Sequence, residues 1–266
     1  MARCLITLTA LCVLISPAQL FAGETPPTAL ARQLSPQEAQ HIGKLIWLNE
    51  GLGKVENLTV WNKREEFPSL GIGHFIWYPS GKEGPFIEQF PKFIALLKTT
   101  TRIPAWLETT EDAPWPTRAA FYADIDSERM RSLRELLANT LPQQTAFMIA
   151  RLEAALPKMV SALADAEQQR LVQQRFYRVA QQPMGIYALI DYVNFKGEGT
   201  SPKERYKGQG WGLLQLLQNM DDDNPNVMAN FVAAADTLLT RRVKNAPRDE
   251  TAWLSGWRKR LATYLK

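Results

Sequence analysis

Ser35-Pro36-Gln37-Glu38 opens the stretch whose reading decides the fold, and Asn49-Glu50-Gly51-Leu52-Gly53 closes its first half. Its second half is Phe67-Pro68-Ser69-Leu70-Gly71-Ile72-Gly73-His74-Phe75-Ile76-Trp77. Ser35 is an N-cap, Pro36 suits the first helical position, and Glu38 closes a capping box. Ile42, Leu45 and Ile46 recur at helical spacing and supply a face to bury. Gly51 and Gly53 are expected to stop the helix, because glycine takes the left-handed conformation of a C-cap. Glu50 then sits in the last turn, where the helix dipole disfavours negative charge. Packing against aromatic side chains would desolvate that carboxyl and favour its protonated form. A protonated carboxyl near neutral pH is what a general acid for glycosidic cleavage must supply.

Working outward, residues 1–22 read as a secretory signal: Arg3, an apolar run over 5–15, and Leu20-Phe21-Ala22 before a cleavage point. That run is too short for a resident membrane helix, and no second long apolar run follows. Both cysteines, Cys4 and Cys12, lie within residues 1–22, so residues 23–266 carry no thiol, disulfide or cysteine metal site. The expected location is the periplasm or the cell exterior. The net charge is +4, or +3 without Arg3. That suits a solubility-level charge, with room for an anionic polymer such as cell wall. His41 and His74 are too few and too separated for a zinc site. No Gly-rich phosphate loop or basic stripe points to a nucleotide or nucleic acid, and no cofactor is expected.

Residues 23–34 read as a short tether and 35–266 as one domain of two lobes. Strands are expected within 58–77 and helices over 91–98, 126–140, 144–156, 157–166, 169–181, 186–195, 212–220, 226–243 and 250–265. Met130, Leu133, Leu136 and Leu137 share one helical face. Pro142 and Pro157 mark breaks, and Lys196-Gly197-Glu198-Gly199 is a glycine turn. The fold class is α+β, mostly helical, with a small sheet early in the chain.

For the chemistry, Glu50 is the first acid. Along a period-two strand Glu65, Phe67 and Ser69 share a face, making Glu65 the second carboxylate and Ser69 the water-positioning hydroxyl. His74 is expected to hydrogen-bond and fix the hairpin to the helix. Glu198 is expected to end a second helix and is the rival acid, or a second acid facing Glu50. Around it Asn194, Tyr206, Gln209, Trp211 and Gln215 offer amides for N-acetyl groups and aromatic faces for sugar rings; ordinary helix packing explains them equally well.

A helix ending in glutamate, then a hydroxyl residue before Gly71-Ile72-Gly73-His74, resembles the phage-type lysozymes and endolysins. Three further blocks occur in that family's order: 189–199, 212–219 and the Leu238-Leu239-Thr240-Arg241-Arg242 and Trp253 region. They cover roughly a third of the chain, and residues 81–182 have no counterpart, as if inserted. The resemblance implies a lysozyme-like fold acting on peptidoglycan glycan strands, with Glu50 as general acid and Ser69 in the place of the family's threonine. The family's intervening aspartate is missing: none lies between Glu50 and Ser69, and Asn62 cannot ionise. One acid still serves a lytic transglycosylase, in which the sugar's own 6-hydroxyl attacks. Glu198 followed by Gly212-Leu213-Leu214-Gln215 resembles the pattern of those enzymes, with Leu214 in place of methionine. Other readings are a peptidoglycan-binding protein without turnover and a glycosidase of another amino-sugar polymer such as chitin.

Overall fold

The computed structural model describes Leu30 and residues 34–266. The proposed signal over 1–22 and most of the tether lie outside them. Helix α1 spans Pro36–Gly51 and begins with the expected capping box: Ser35 accepts from the Glu38 N–H, and the Glu38 carboxylate accepts from the Ser35 N–H. Its other end departs from expectation. Gly51 belongs to the helix and the left-handed cap is Leu52, at φ 53°, followed by Gly53 at φ 67°. The Leu52 side chain is exposed, so a strained cap gains nothing from burial there.

A 3-10 turn, Val55–Leu58, leads into a three-stranded antiparallel sheet of very short strands: β1 Thr59–Val60, β2 Ser69–Leu70 and β3 Phe75–Ile76. Thr59 pairs with Leu70, and Leu70 with Phe75. Glu65, Phe67 and Pro68 precede β2, so the period-two face proposed for Glu65 and Ser69 does not form; Pro68 has no N–H to extend a ladder.

Seven helices follow: α2 Phe90–Lys98, α3 Ala105–Glu108, α4 Arg118–Ala123, α5 Glu128–Asn139, α6 Leu141–Ser161, α7 Ala166–Ala180 and α8 Gly185–Lys196. Then come a hairpin, β4 Arg205–Tyr206 and β5 Gln209–Gly210, and helices α9 Leu213–Gln218, α10 Val227–Asn245 and α11 Thr251–Leu261. The α5 face is buried at Met130, Leu133, Leu136 and Leu137, as its spacing predicts. Residues 144–156 and 157–161 form one helix, because Pro157 sits inside α6 between the buried Leu156 and Met159. Packing there outweighs the one backbone hydrogen bond that proline forfeits. The β4–β5 hairpin was not expected. Its loop, Lys207-Gly208, has positive φ at both residues, 49° and 75°, which matches the twist of a two-residue hairpin.

The chain is thus α+β, mostly helical, with its small sheet early, and one continuous apolar cluster runs from Leu30 to Tyr264. Among the described residues no helix is long and apolar enough to cross a membrane. Leu30 is itself buried and its N–H donates to Glu153, so this point of the tether is packed against α6. Helix α6 packs on α1, α2, α7 and α8. Residues 81–182 are therefore built into the fold rather than appended to it.

Helix α6 also shapes the Gly-Ile-Gly-His turn. The buried Gln144 side chain accepts from the Ile72 N–H at 2.9 Å and donates to the Leu137 carbonyl at 2.7 Å. Gly71 is at φ +72°, and a Cβ there would overlap the Gln144 Oε1. Gly81 has nearly the same φ, +71°, but open space around it. Gly81→Ala should therefore cost only the left-handed backbone penalty, about 1 kcal/mol. Gly71→Ala should cost about 3 kcal/mol, because it also disrupts a buried hydrogen-bonded amide. Urea unfolding midpoints of the two variants measure the difference, and equal losses would contradict this role for Gln144.

Candidate active site

Glu50 leaves the last turn of α1 with its side chain 16% exposed. One carboxylate oxygen meets the Arg260 Nη2 from α11, and the other lies 3.6 Å from His74 Nδ1. His74 thus joins the hairpin turn to the end of α1 through the candidate acid itself. Its φ of 48° is unusual for a residue with a side chain. Arg260 is bidentate to Asp191 of α8, through Nε at 2.7 Å and Nη2 at 2.8 Å. The fully buried Asp191 also accepts from Tyr264 Oη at 2.6 Å and Asn49 Nδ2 at 3.1 Å. Burial opposes the charge on Arg260, but Asp191 first and Glu50 after it hold its pKa well above the usual arginine value. Burial, reinforced by Asp191, raises the pKa values of Tyr264 and Tyr187.

In front of Glu50 is a hollow of about 190 Å³ lined by Glu50, Gly73, His74, Gln89, Arg151 and Asn194, with Ile76 and Val193. A smaller one of about 20 Å³ adjoins it, shares Arg151, Val193 and Asn194, and is lined on its other side by Glu198. Glu50 and Glu198 therefore line neighbouring hollows with an arginine and an amide between them. Glu198 lies just past α8 rather than ending it, and Lys158 stands 3.9 Å from its Oε1. Larger hollows exist, such as one of about 270 Å³ beside α2 and α3. Chemistry rather than size favours the Glu50 hollow, which sets a shielded carboxylate, a histidine, an arginine and an amide around one space.

The other residues expected here divide. Asn194 lines both hollows. Ser69 is buried in β2, and neither it nor Glu65 lines either hollow; Glu65 instead accepts from Asn62 Nδ2 at 3.0 Å. Gln215 is internal: its Oε1 accepts from the Gly212 N–H at 3.1 Å and its Nε2 donates to the Gly199 carbonyl at 2.9 Å, pinning the glycine turn. Trp211 is buried under the Arg242 guanidinium and against Tyr206, whose hydroxyl donates to Glu250 at 3.0 Å. Gln209 is exposed on the hairpin. These four lie outside both hollows, and packing accounts for Gln215, Trp211 and Tyr206.

Sequence reading missed Arg151, Glu204 and Lys196. Burial and then the neighbouring Glu198 raise the pKa of Glu204. Lys196 is buried, with Nζ 3.5 Å from the Trp257 ring centre and 3.9 Å from that of Phe195. Burial, with Arg242 and Arg260 adding and Glu250 opposing, pushes its pKa down to about 7. The Lys196-Gly197 turn signal was legible, but the basic and aromatic neighbours come from α10 and α11. Among the described residues no cluster of three or more His, Cys, Asp or Glu could hold a metal ion.

No family model, curated protein or solved structure matches this chain.

Lys196 yields a test of this electrostatic picture. A lysine whose folded pKa is near 7 binds fewer protons when folded than when unfolded, where its pKa is about 10.4. Folding stability then rises with pH across that window, and the penalty is complete below its lower end. Lys196→Met removes the penalty. Its stability gain over the unaltered protein should shrink by about 2–3 kcal/mol between pH 6 and pH 9. Thermal and urea melts at the two pH values check this, and a pH-independent difference would contradict it.

Proposed function

We propose that the protein has a lysozyme-like fold and cleaves the β-1,4 link between the amino sugars of peptidoglycan, with Glu50 as general acid. The observation that carries this reading is the Glu50 carboxylate, shielded at the end of a helix and opening on a hollow opposite an amide. Two carboxylates, Glu50 and Asp191, share the single Arg260 guanidinium. Asp191 has its full set of donors, and Glu50 is the member of the pair that faces the hollow.

Among the described residues Glu50 is the only carboxylate lining that hollow. This favours a lytic transglycosylase over a hydrolase. Glu50 gives its proton to the leaving glycosidic oxygen, the sugar's own 6-hydroxyl oxygen bonds to C1, and the hydroxyl proton returns to Glu50. The product is a 1,6-anhydro sugar and no water is consumed. Hydrolysis would require a second group to activate water, and Glu198 in the adjoining hollow is the candidate. The reading also places the protein in the periplasm or outside the cell, where its substrate lies.

Mass spectrometry of fragments released from purified peptidoglycan tests this. The unaltered protein should release 1,6-anhydro ends, and Glu50→Gln should lower the rate about 10²-fold or more. Glu198→Gln should leave most of the activity. Reducing ends that depend on both glutamates would mean hydrolysis. Full activity in Glu50→Gln would overturn the assignment, as would a folded protein that sediments with the wall and releases nothing.

A further inference from the structure

Arg151 points from α6 into the space between the two glutamates and lines both hollows. Every other cation near the site is engaged. Arg260 is held by Asp191 and Glu50, Arg242 by the buried Glu250 at 3.0 Å, and Lys158 lies beside Glu198. Arg151 has no hydrogen bond or ion pair to any described residue, although Glu198 is near enough to act on its charge. A half-buried guanidinium with five unused N–H donors is expensive to maintain. Burial pushes its pKa down to about 10, with Glu198 opposing, so it remains charged at neutral pH. A planar fork of donors at a hollow's wall matches a carboxylate, which it can take through two parallel hydrogen bonds.

We propose that Arg151 is a specificity-determining residue that binds a carboxylate of the substrate and so selects an acidic glycan over a neutral amino-sugar polymer. The inference rests on the reading above that this hollow takes peptidoglycan. That polymer offers the carboxylate from two sources: the lactyl group of a muramic sugar without peptide, or an acidic residue of the stem peptide. A neutral chitin-type strand offers neither and would leave the guanidinium unpaired.

The experiment measures binding by calorimetry to the folded Glu50→Gln protein, which keeps its ligand uncleaved. Three tetrasaccharides of alternating N-acetylglucosamine and N-acetylmuramic acid serve as ligands: the free lactyl acid, its methyl ester, and the peptide-bearing form. The free acid or the peptide form should bind about 10-fold or more tighter than the ester, the gain of a charge-assisted hydrogen bond. Whichever does so names the source of the carboxylate. The gain should vanish in Glu50→Gln/Arg151→Gln and survive in part with Arg151→Lys, which keeps the charge but not the fork. The acid–ester comparison needs no change at Arg151, so a folding defect in those variants would not blunt it. Equal binding of all three ligands would overturn this inference while leaving the proposed function standing. A gain that persists in Arg151→Gln would also overturn it. No binding of any of the three would overturn both.

Discussion

A buried carboxylate, that of Asp191, holds the functional half of this molecule together. Taking a carboxylate fully out of water is costly unless its oxygens are satisfied. Here Arg260, Tyr264 and Asn49 satisfy them. Asn49 lies in the last turn of α1, Asp191 lies in α8, Arg260 lies in α11 and Tyr264 follows it. The Asp191 charge can be buried only if these elements converge. Their convergence sets Glu50, the neighbour of Asn49, at the mouth of the hollow with Arg260 against it. Removing one partner would strand a buried charge, which costs far more than a surface pair is worth.

Helix α6 makes the opposite wall. Thr145 donates to the Ala39 carbonyl at 3.0 Å, and Gly43 lets the two helices approach closely. Gln144 on the same helix fixes the Gly71–His74 turn, and Arg151, about two turns further on, lines the hollow. One continuous helix thus positions the turn that carries His74 and supplies the cation. The wall is thus built from within residues 81–182.

Features governed by neighbours in sequence were legible: the Ser35–Glu38 capping box, the buried face of α5, the short strands around Gly71, and a helix with Glu50 in its last turn. Features governed by distant partners were not. Asp191 and Arg260 are 69 residues apart, and nothing local tells Arg260 that it will meet a buried acid. One signal was present: Asp191 stands within Leu189-Ile190-Asp191-Tyr192, an apolar run in which a charge implies a buried partner. Local rules make Pro157 a break, because proline is disfavoured in a helix interior, but core packing prevails. Trp211 and Gln215 have the chemistry of a sugar site, but the fold uses both internally, at Arg242 and at the glycine turn. Residue type alone does not distinguish those uses.

The most direct measurement is a crystal structure of Glu50→Gln with a tetrasaccharide of alternating N-acetylglucosamine and N-acetylmuramic acid. A glycosidic oxygen should lie within hydrogen-bonding reach of the residue 50 side chain, about 2.6–3.2 Å, with the glycan passing between His74 and Asn194. A saccharide seated elsewhere, with the Glu50 hollow left to water, would contradict it.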